Sequence, residues 1–516
     1  MVGALLFLGT LVYLGFIWPH DLYPYDEGML LYGAKRILDG QVMYRDFFEI
    51  YTPGSWYVMA LTYALFGVSM DTARMTMAVL HGLIAALAYW NCRLLSVRRG
   101  LAAAAALADP AICYRFLSIA SPHWFVTALG LLLMFLALRR PATTRGRYLL
   151  LGSVVGALAL MHQSALAMGS AGALTILIDF AAAPEKRGQW RRLFERFAWY
   201  MGGVLVIVVP VLGVLVAAAG WEQIFAQLVL QLFRYDRYHQ HVSFVPHVSD
   251  LNLDLNAILS NLPTVLVVGL LWYGAYLTIA VGAARALWRW RAGARVIDQR
   301  GSLVALSFAG AALLSVLYYP GTSHLGAVAP IWLVPLTEML ERFFSRAESA
   351  LRLPRLATGL TMLVLLAVAA QLHRVVQYER SKYPVQRSTA FGRVDFAQED
   401  DAVAIETIGS LIKSSGEHEV FVYPAYGSFY LLTDTTNPTR YQFLIPEYNS
   451  PAQFDEVRAT LELRAVPFIV RTFWWGGDPL QAYISQRYER VQLPAPTHGI
   501  PHFVLFRRKD ETAATP

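Results

Sequence analysis

The sequence predicts an α-helical polytopic membrane protein carrying a small C-terminal α/β domain. Three observations lead there. The 516 residues are 56% hydrophobic and only 15% charged, against a charged share of about 25% in soluble chains. Apolar runs long enough to cross a bilayer recur along the first 374 residues. Beyond residue 375 the charges return and the apolar runs shorten to strand length.

A span needs about 20 mostly apolar residues. Eleven such runs lie near 3–18, 71–92, 101–117, 121–138, 148–162, 163–179, 198–219, 263–283, 303–319, 325–340 and 356–373. The first lacks a basic n-region and a small-residue cleavage site, so it reads as a retained anchor. The positive charge is almost all arginine, 38 Arg to five Lys, with a net charge of +7. It falls in clusters in every second loop: Arg93/Arg98/Arg99, Arg139/Arg140/Arg145/Arg147, Lys186/Arg187/Arg191/Arg192/Arg196, Arg285/Arg289/Arg291/Arg295/Arg300 and Arg342/Arg346/Arg352/Arg355. Clusters between apolar runs encode topology rather than nucleic-acid binding, and they place those loops in the cytoplasm. The segments 19–70, 220–262, 320–324 and 375–516 then face the other side. The apolar stretch 54–67 is too short to span and would invert every later loop, so it is expected to lie on the outer bilayer surface.

The C-terminal segment 375–516 is expected to form a soluble extracytoplasmic domain, separate from the membrane domain 1–374. Its strand candidates are Val420–Tyr423, Phe429–Leu432, Pro467–Val470 and Phe503–Phe506, alternating with helical patterns over Glu399–Lys413 and Pro451–Leu463. Two cysteines carry no disulfide framework, and no Cys/His spacing resembles a zinc finger.

The richest chemistry lies in the first outer loop. Tyr23-Pro24-Tyr25-Asp26-Glu27-Gly28 precedes a helical run from Met29 to Leu38, and Glu49-Ile50-Tyr51-Thr52-Pro53-Gly54 closes the loop. Two adjacent carboxylates ringed by aromatic residues at a membrane face have raised pKa values and make better bases than a free Asp. The alternative is a helix cap, with Asp26 or Asp21 accepting from free backbone N–H groups. Spacing alone leaves both open. Asp109, inside the third run, must face protein, paired with His81 or Arg115.

The order of anchor helix, Asp-Glu in the first outer loop, juxtamembrane helix, Pro-Gly element, Leu65-Phe66-Gly67-Val68-Ser69 and Arg74 resembles the GT-C superfamily of integral-membrane glycosyltransferases. It is similar in particular to bacterial relatives of protein O-mannosyltransferases and lipid A aminoarabinose transferases. Where several relatives have Lys-Pro-Pro, this chain has Thr52-Pro53-Gly54. The resemblance implies inverting transfer of a sugar from a polyprenyl-phosphate donor to a lipid, glycan or protein acceptor at the outer face. The setting would be a bacterial inner membrane, surrounded by its lipids.

By that match Asp26 is the catalytic base and Glu27 its partner. The departing phosphate needs cations, for which Arg115, Arg234, Arg237, His324 and, near the membrane entrance, Arg74 are candidates. Each arginine can equally snorkel to the interface. Tyr25, Glu49, His123, His162, Gln163, Tyr238 and His239 are candidate substrate contacts. His239 and His241, with His247, could supply two imidazoles to a metal, but no third ligand stands at firm spacing. Some GT-C enzymes bind a divalent metal and others need none, so metal use stays open. The aromatic loops Tyr423–Gly427 and Phe473–Gly477 are suited to stacking on sugars or to packing on the membrane core. The rival functions are a lipid-linked-oligosaccharide flippase and a noncatalytic assembly protein. A transporter would scatter ionisable groups at mid-membrane, whereas here they crowd the outer side.

Overall fold

A computed structural model describes the chain apart from residues 18–19, 24, 140–143, 183–188, 232, 234–261, 447, 473–476, 494–502 and 510–516. A helix covers each of the eleven apolar runs. In chain order the helices are α1 (Val2–Ile17), α2 (Asp26–Leu38), α3 (Gly54–Phe66), α4 (Met70–Leu94), α5 (Arg99–Ala108), α6 (Pro122–Leu138), α7 (Arg145–Met161), α8 (Leu166–Ala181), α9 (Gln189–Ala219), α10 (Trp221–Phe225), α11 (Leu262–Arg291), α12 (Arg300–Leu314), α13 (Thr322–Leu351) and α14 (Leu356–Lys382). Among the described residues, five segments are long and apolar enough to cross a membrane by themselves: Met70–Leu94, Gln163–Ala181, Trp190–Ala219, Leu262–Arg291 and Leu356–Glu379. The other runs form shorter helices, or, in α13, a helix too charged toward its C-terminal half to read as one apolar span.

The third run is interrupted. Pro110 cannot donate to the α-helical ladder, and α5 passes into a π turn over Asp109–Cys113 and a 3₁₀ turn over Tyr114–Phe116. Asp109 is buried there, and its Oδ2 lies 2.7 Å from Nδ1 of His81 on α4. Of the two expected partners, His81 is the one in place.

Arginines of the basic clusters form cross-helix ion pairs. Arg98 binds Glu341 with bonds of 2.9–3.0 Å. Arg147 and Arg300 converge on Asp179 at 3.2 and 2.5 Å. The close crossing of α7 and α9 depends on small residues: a Cβ on Gly152 would overlap the Tyr200 carbonyl, and one on Gly203 the Leu149 carbonyl.

After α14 a hairpin pairs β1 (Val385–Thr389) with β2 (Gly392–Phe396), turning through Gly392 at φ +95°. A four-stranded sheet follows in the order β3-β4-β6-β5. Its strands are β3 (Phe421–Tyr423), β4 (Phe468–Arg471), β5 (Tyr488–Arg490) and β6 (Val504–Arg508). β3 runs parallel to β4 with Phe421 opposite Ile469, and the other pairs are antiparallel. α15 (Glu399–Ser414), α16 (Ser428–Thr433), α17 (Pro451–Leu463) and α18 (Gln481–Arg487) complete the region. The expected strand at Phe429–Leu432 is instead the helix α16. All six of its residues are buried, and a short apolar run buried on every side carries no periodicity that separates strand from helix.

This region sits directly on the first outer loop. Tyr32 of α2 stacks on Tyr430 of α16 with ring centroids 4.5 Å apart. The Tyr32 hydroxyl accepts from the Asn437 N–H at 2.9 Å, and the Phe48 N–H donates to the Arg440 carbonyl at 2.8 Å.

Candidate active site

α2 starts at Asp26 with Tyr25 in the cap position and no side-chain capping bond. The helix is anchored by its second residue. Glu27 is fully buried, and its carboxylate accepts from Tyr23 N–H at 3.0 Å, from Ala120 N–H at 2.6 Å and from the Arg74 guanidinium. Arg74 also donates to the Asp21 carbonyl. Successive helical residues are rotated by about 100°, so Asp26 points elsewhere, into a cavity of about 360 Å³.

That cavity brings together side chains far apart in sequence. Asp26 and Tyr25 share it with His123 at the start of α6, His162 at the end of α7 and His324 in the first turn of α13. Tyr51, Trp56 and Tyr319 supply aromatic walls. The His123 ring lies 4.8 Å from His162 and 4.7 Å from His324, centroid to centroid. Proline N1 positions and loop turns place these rings: α6 begins Ser121-Pro122-His123, and the Ser121 hydroxyl accepts from the His123 N–H at 3.4 Å.

The tautomer of His162 follows from its partners. The Ser164 backbone N–H donates to Nδ1 at 3.2 Å. Nδ1 is therefore the acceptor nitrogen, and the neutral ring carries its proton on Nε2. Among the described residues Nε2 is buried without a partner, a donor held ready beside the cavity. The Tyr318 hydroxyl reaches His123 Nε2 at 3.5 Å.

Asp26 is open to water along the cavity but enclosed by protein. This enclosure raises its carboxyl above the usual range. Glu49 stands behind it, buried, with Oε1 accepting from Ile50 N–H at 2.9 Å. Burial pushes Glu49 up to about 8, assisted by the charge of Asp26. Glu49 does not line the cavity; it belongs to the frame, its N–H bonded to Gln227 at 2.9 Å. Gln163 is also frame, donating to the Ile50 carbonyl at 3.1 Å.

Several expected contacts lie elsewhere. Glu27 and Arg74 spend their charges on each other. Arg115 stacks on Tyr378 of α14, 4.2 Å from the ring centroid, outside the cavity lining. Arg234, Arg237, Tyr238 and His239 fall outside the described residues, as does the suggested His239/His241/His247 group. Among the described residues no lysine or arginine lines this cavity, and no group of three His, Cys, Asp or Glu is placed to hold a metal ion. No chemistry is routed through a metal.

Phe443, Ile445 and Tyr448 were not among the residues expected at the site. They close the cavity from the C-terminal region. Their segment is pinned by Leu444 N–H to the Pro424 carbonyl at 2.8 Å and by Gln231 to the Tyr448 carbonyl at 2.6 Å.

No family model matches the sequence, and no curated protein matches it. Solved structures do. The apo structure of ArnT from Cupriavidus metallidurans superposes with a TM-score of 0.59 at 13% identity, covering 100% of this chain and 98% of that one. This chain has the GT-C fold. The archaeal oligosaccharyltransferase AglB from Archaeoglobus fulgidus, in complex with an inhibitory peptide and a dolichol-phosphate, matches at TM-score 0.50 and 13% identity, over 99% of this chain and 75% of its own. The mycobacterial arabinofuranosyltransferase AftD gives 0.50 and 13% over 99% of this chain and 40% of its own. These GT-C structures are polytopic membrane proteins, in keeping with the apolar helices described above.

Proposed function

We propose that this chain is a membrane glycosyltransferase that transfers a sugar from a polyprenyl-phosphate donor to an acceptor hydroxyl at the outer face of the membrane, with inversion at the anomeric carbon. The observation that carries the reading is the placement of Asp26 in a cavity that also holds His123, His162 and His324. The GT-C fold and the dolichol-phosphate in the AglB complex support it. The eleven helical runs are read as spans. The arginine clusters face the cytoplasm of a bacterial inner membrane, and the region after α14 is the extracytoplasmic domain.

The chemistry follows from the geometry. As the acceptor oxygen bonds to the anomeric carbon, the carbon–oxygen bond to the phosphate breaks and its electron pair leaves with the phosphate. Asp26 takes the acceptor proton, a task suited to a carboxylate whose pKa is raised by enclosure. The growing phosphate charge meets imidazole donors, His162 Nε2–H first among them, held in place before the reaction begins. Tyr51 and Tyr319 offer faces for the sugar ring.

The test is to incubate purified protein with polyprenyl-phosphate sugars and read products by mass spectrometry and anomeric configuration by NMR. Transfer with inverted configuration, absent in Asp26→Asn, is expected. Retained configuration, or equal transfer by the variant, contradicts the reading.

A further inference from the structure

α11 and α13 each carry two arginines one turn apart, Arg285 and Arg289 on the first, Arg342 and Arg346 on the second. Like charges at this spacing share a helix face and repel each other. The two helices meet on a single carboxylate. Glu338 is 2% exposed, accepts from the Arg342 guanidinium and lies 3.7 Å from that of Arg285. It also accepts from the Ser302 hydroxyl of α12 at 2.8 Å. The charges of Arg289, Arg342 and Arg346 all act against that of Arg285. A narrow cleft opens here between the three helices, lined by Arg285, Gln299, Ser302, Leu306, Glu338 and Met339. It shares no lining residue with the cavity that holds Asp26.

The charges in this part of the chain do not balance. Residues 262–351 hold seven arginines and four acidic residues. Three of the acids are taken up apart from the cleft. Arg295 holds Asp298 through its backbone N–H at 3.2 Å and its guanidinium at 3.4 Å, Arg98 holds Glu341, and the Ala357 N–H donates to Glu348 at 2.8 Å. Asp298 acts on Arg289 only at longer range. Arg300 is drawn off to Asp179. Among the described residues neither Arg289 nor Arg346 makes an ion pair, and the Arg285 Nε is buried with no hydrogen-bond partner. A buried donor without an acceptor is costly unless a ligand supplies one. The surroundings are apolar and open. Trp288 and Trp290, on either side of Arg289 in sequence, are 65% and 64% exposed, and Leu277 and Val281 earlier in α11 are exposed as well. Exposed tryptophans beside arginines at the close of an apolar helix stand at the headgroup level of a bilayer.

We propose that the mouth of this cleft seats the phosphate diester of an anionic phospholipid, bound by Arg285, Arg289, Arg342 and Arg346, with its acyl chains along the exposed face of α11. Charge complementarity and the apolar flank together choose the occupant. Guanidinium forks match phosphate oxygens, and basic pockets between membrane helices bind anionic head groups. A soluble anion makes no use of the exposed apolar face, and a zwitterionic head group brings an ammonium up against the arginines. The bound phosphate offsets the repulsion within each arginine pair and clamps α11 to α13. The inference takes α11 as a membrane span and does not depend on the sugar-transfer chemistry, so it stands or falls separately from the transferase reading.

The experiment measures binding, without turnover, on the full chain in detergent. Delipidated protein is mixed with equal amounts of phosphatidylglycerol and phosphatidylcholine of the same acyl chains, and bound lipid is identified by native mass spectrometry. The wild type is expected to hold phosphatidylglycerol at least about ten-fold in preference. The double variant Arg289→Gln/Arg346→Gln changes positions that are not buried and should bring the ratio to within about two-fold. Arg191→Gln/Arg192→Gln removes the same charge from exposed positions on α9 and should leave the ratio as in the wild type. An excess of inorganic phosphate should leave the phosphatidylglycerol bound. No preference in the wild type, or an unchanged ratio in Arg289→Gln/Arg346→Gln, overturns the inference. Equal loss in the two double variants overturns it too, since net charge alone would then attract the lipid. Displacement of the lipid by inorganic phosphate would make a free anion the ligand and contradict a lipid seat.

Discussion

The guanidinium of Arg74 on α4 is bonded to both carboxylate oxygens of Glu27, the residue directly after Asp26 on α2. The pair is almost wholly buried, 4% and 0% exposed at the side chains. It fixes how α2 is rotated and hence where Asp26 points. Removing one member leaves the other charged and buried. Glu27→Gln is expected to cost about 3–5 kcal/mol, read as a lowered unfolding midpoint in detergent. Asp26→Asn, whose carboxylate is not part of this pair, should leave the midpoint nearly unchanged.

His162 offers a buried Nε2–H whose tautomer is set by the Ser164 N–H. If it stabilises the leaving phosphate, its contribution grows in the transition state. His162→Ala should then lower kcat by about 10²-fold with a smaller change in KM for the donor. Steady-state kinetics at varied donor concentration check this. A pure KM effect would assign His162 to ground-state binding only.

Glu49 gives a pH signature. Its carboxyl is raised from 4.5 to about 8 in the folded protein, so the folded state holds the proton over a range where the unfolded chain has lost it. The resulting stabilisation is complete below about pH 4.5 and is lost as pH rises through about 8. The loss is at most about 1.4 kcal/mol per pH unit within that window. Glu49→Gln removes this dependence. The difference in unfolding midpoint, variant minus wild type, should therefore grow more positive from pH 5 to pH 9. A difference that is flat with pH would show that Glu49 is ionised in the fold.

Gly28 and Gly427 meet where α2 passes the start of α16. A Cβ on Gly28 would overlap the Ser428 backbone nitrogen, and one on Gly427 would fall 2.8 Å from the Gly28 carbonyl carbon. Backbone cannot swing aside as a side chain can, so Gly28→Ala should cost about 1–3 kcal/mol and loosen the C-terminal region from the first outer loop. Faster proteolytic release of that region, at unchanged helical content, is the expected result.

The apolar runs were legible because a bilayer imposes length on them, and each became a helix. The outer-loop Asp and His123, His162 and His324 were legible because charged and polar groups at span ends are few and stand out. Other features were hidden for physical reasons. Asp26 and Glu27 are identical in kind and one residue apart; only the position of Arg74 decides which enters the cavity. Arg115 was equally placed by topology but finds Tyr378 first. Phe443, Ile445 and Tyr448 reach the cavity through a tertiary contact between distant segments, and nothing in their local pattern marks it. The run Phe429–Leu432 is buried on all sides as α16, so it lacks the alternation that would have distinguished it.

The most direct test of the central claim is the single-turnover rate of sugar transfer from a saturating polyprenyl-phosphate donor, compared between the wild type and Asp26→Asn. Loss of a positioned general base should slow that step by about 10²–10⁴-fold while donor binding persists. A rate within about two-fold of wild type would contradict Asp26 as the base.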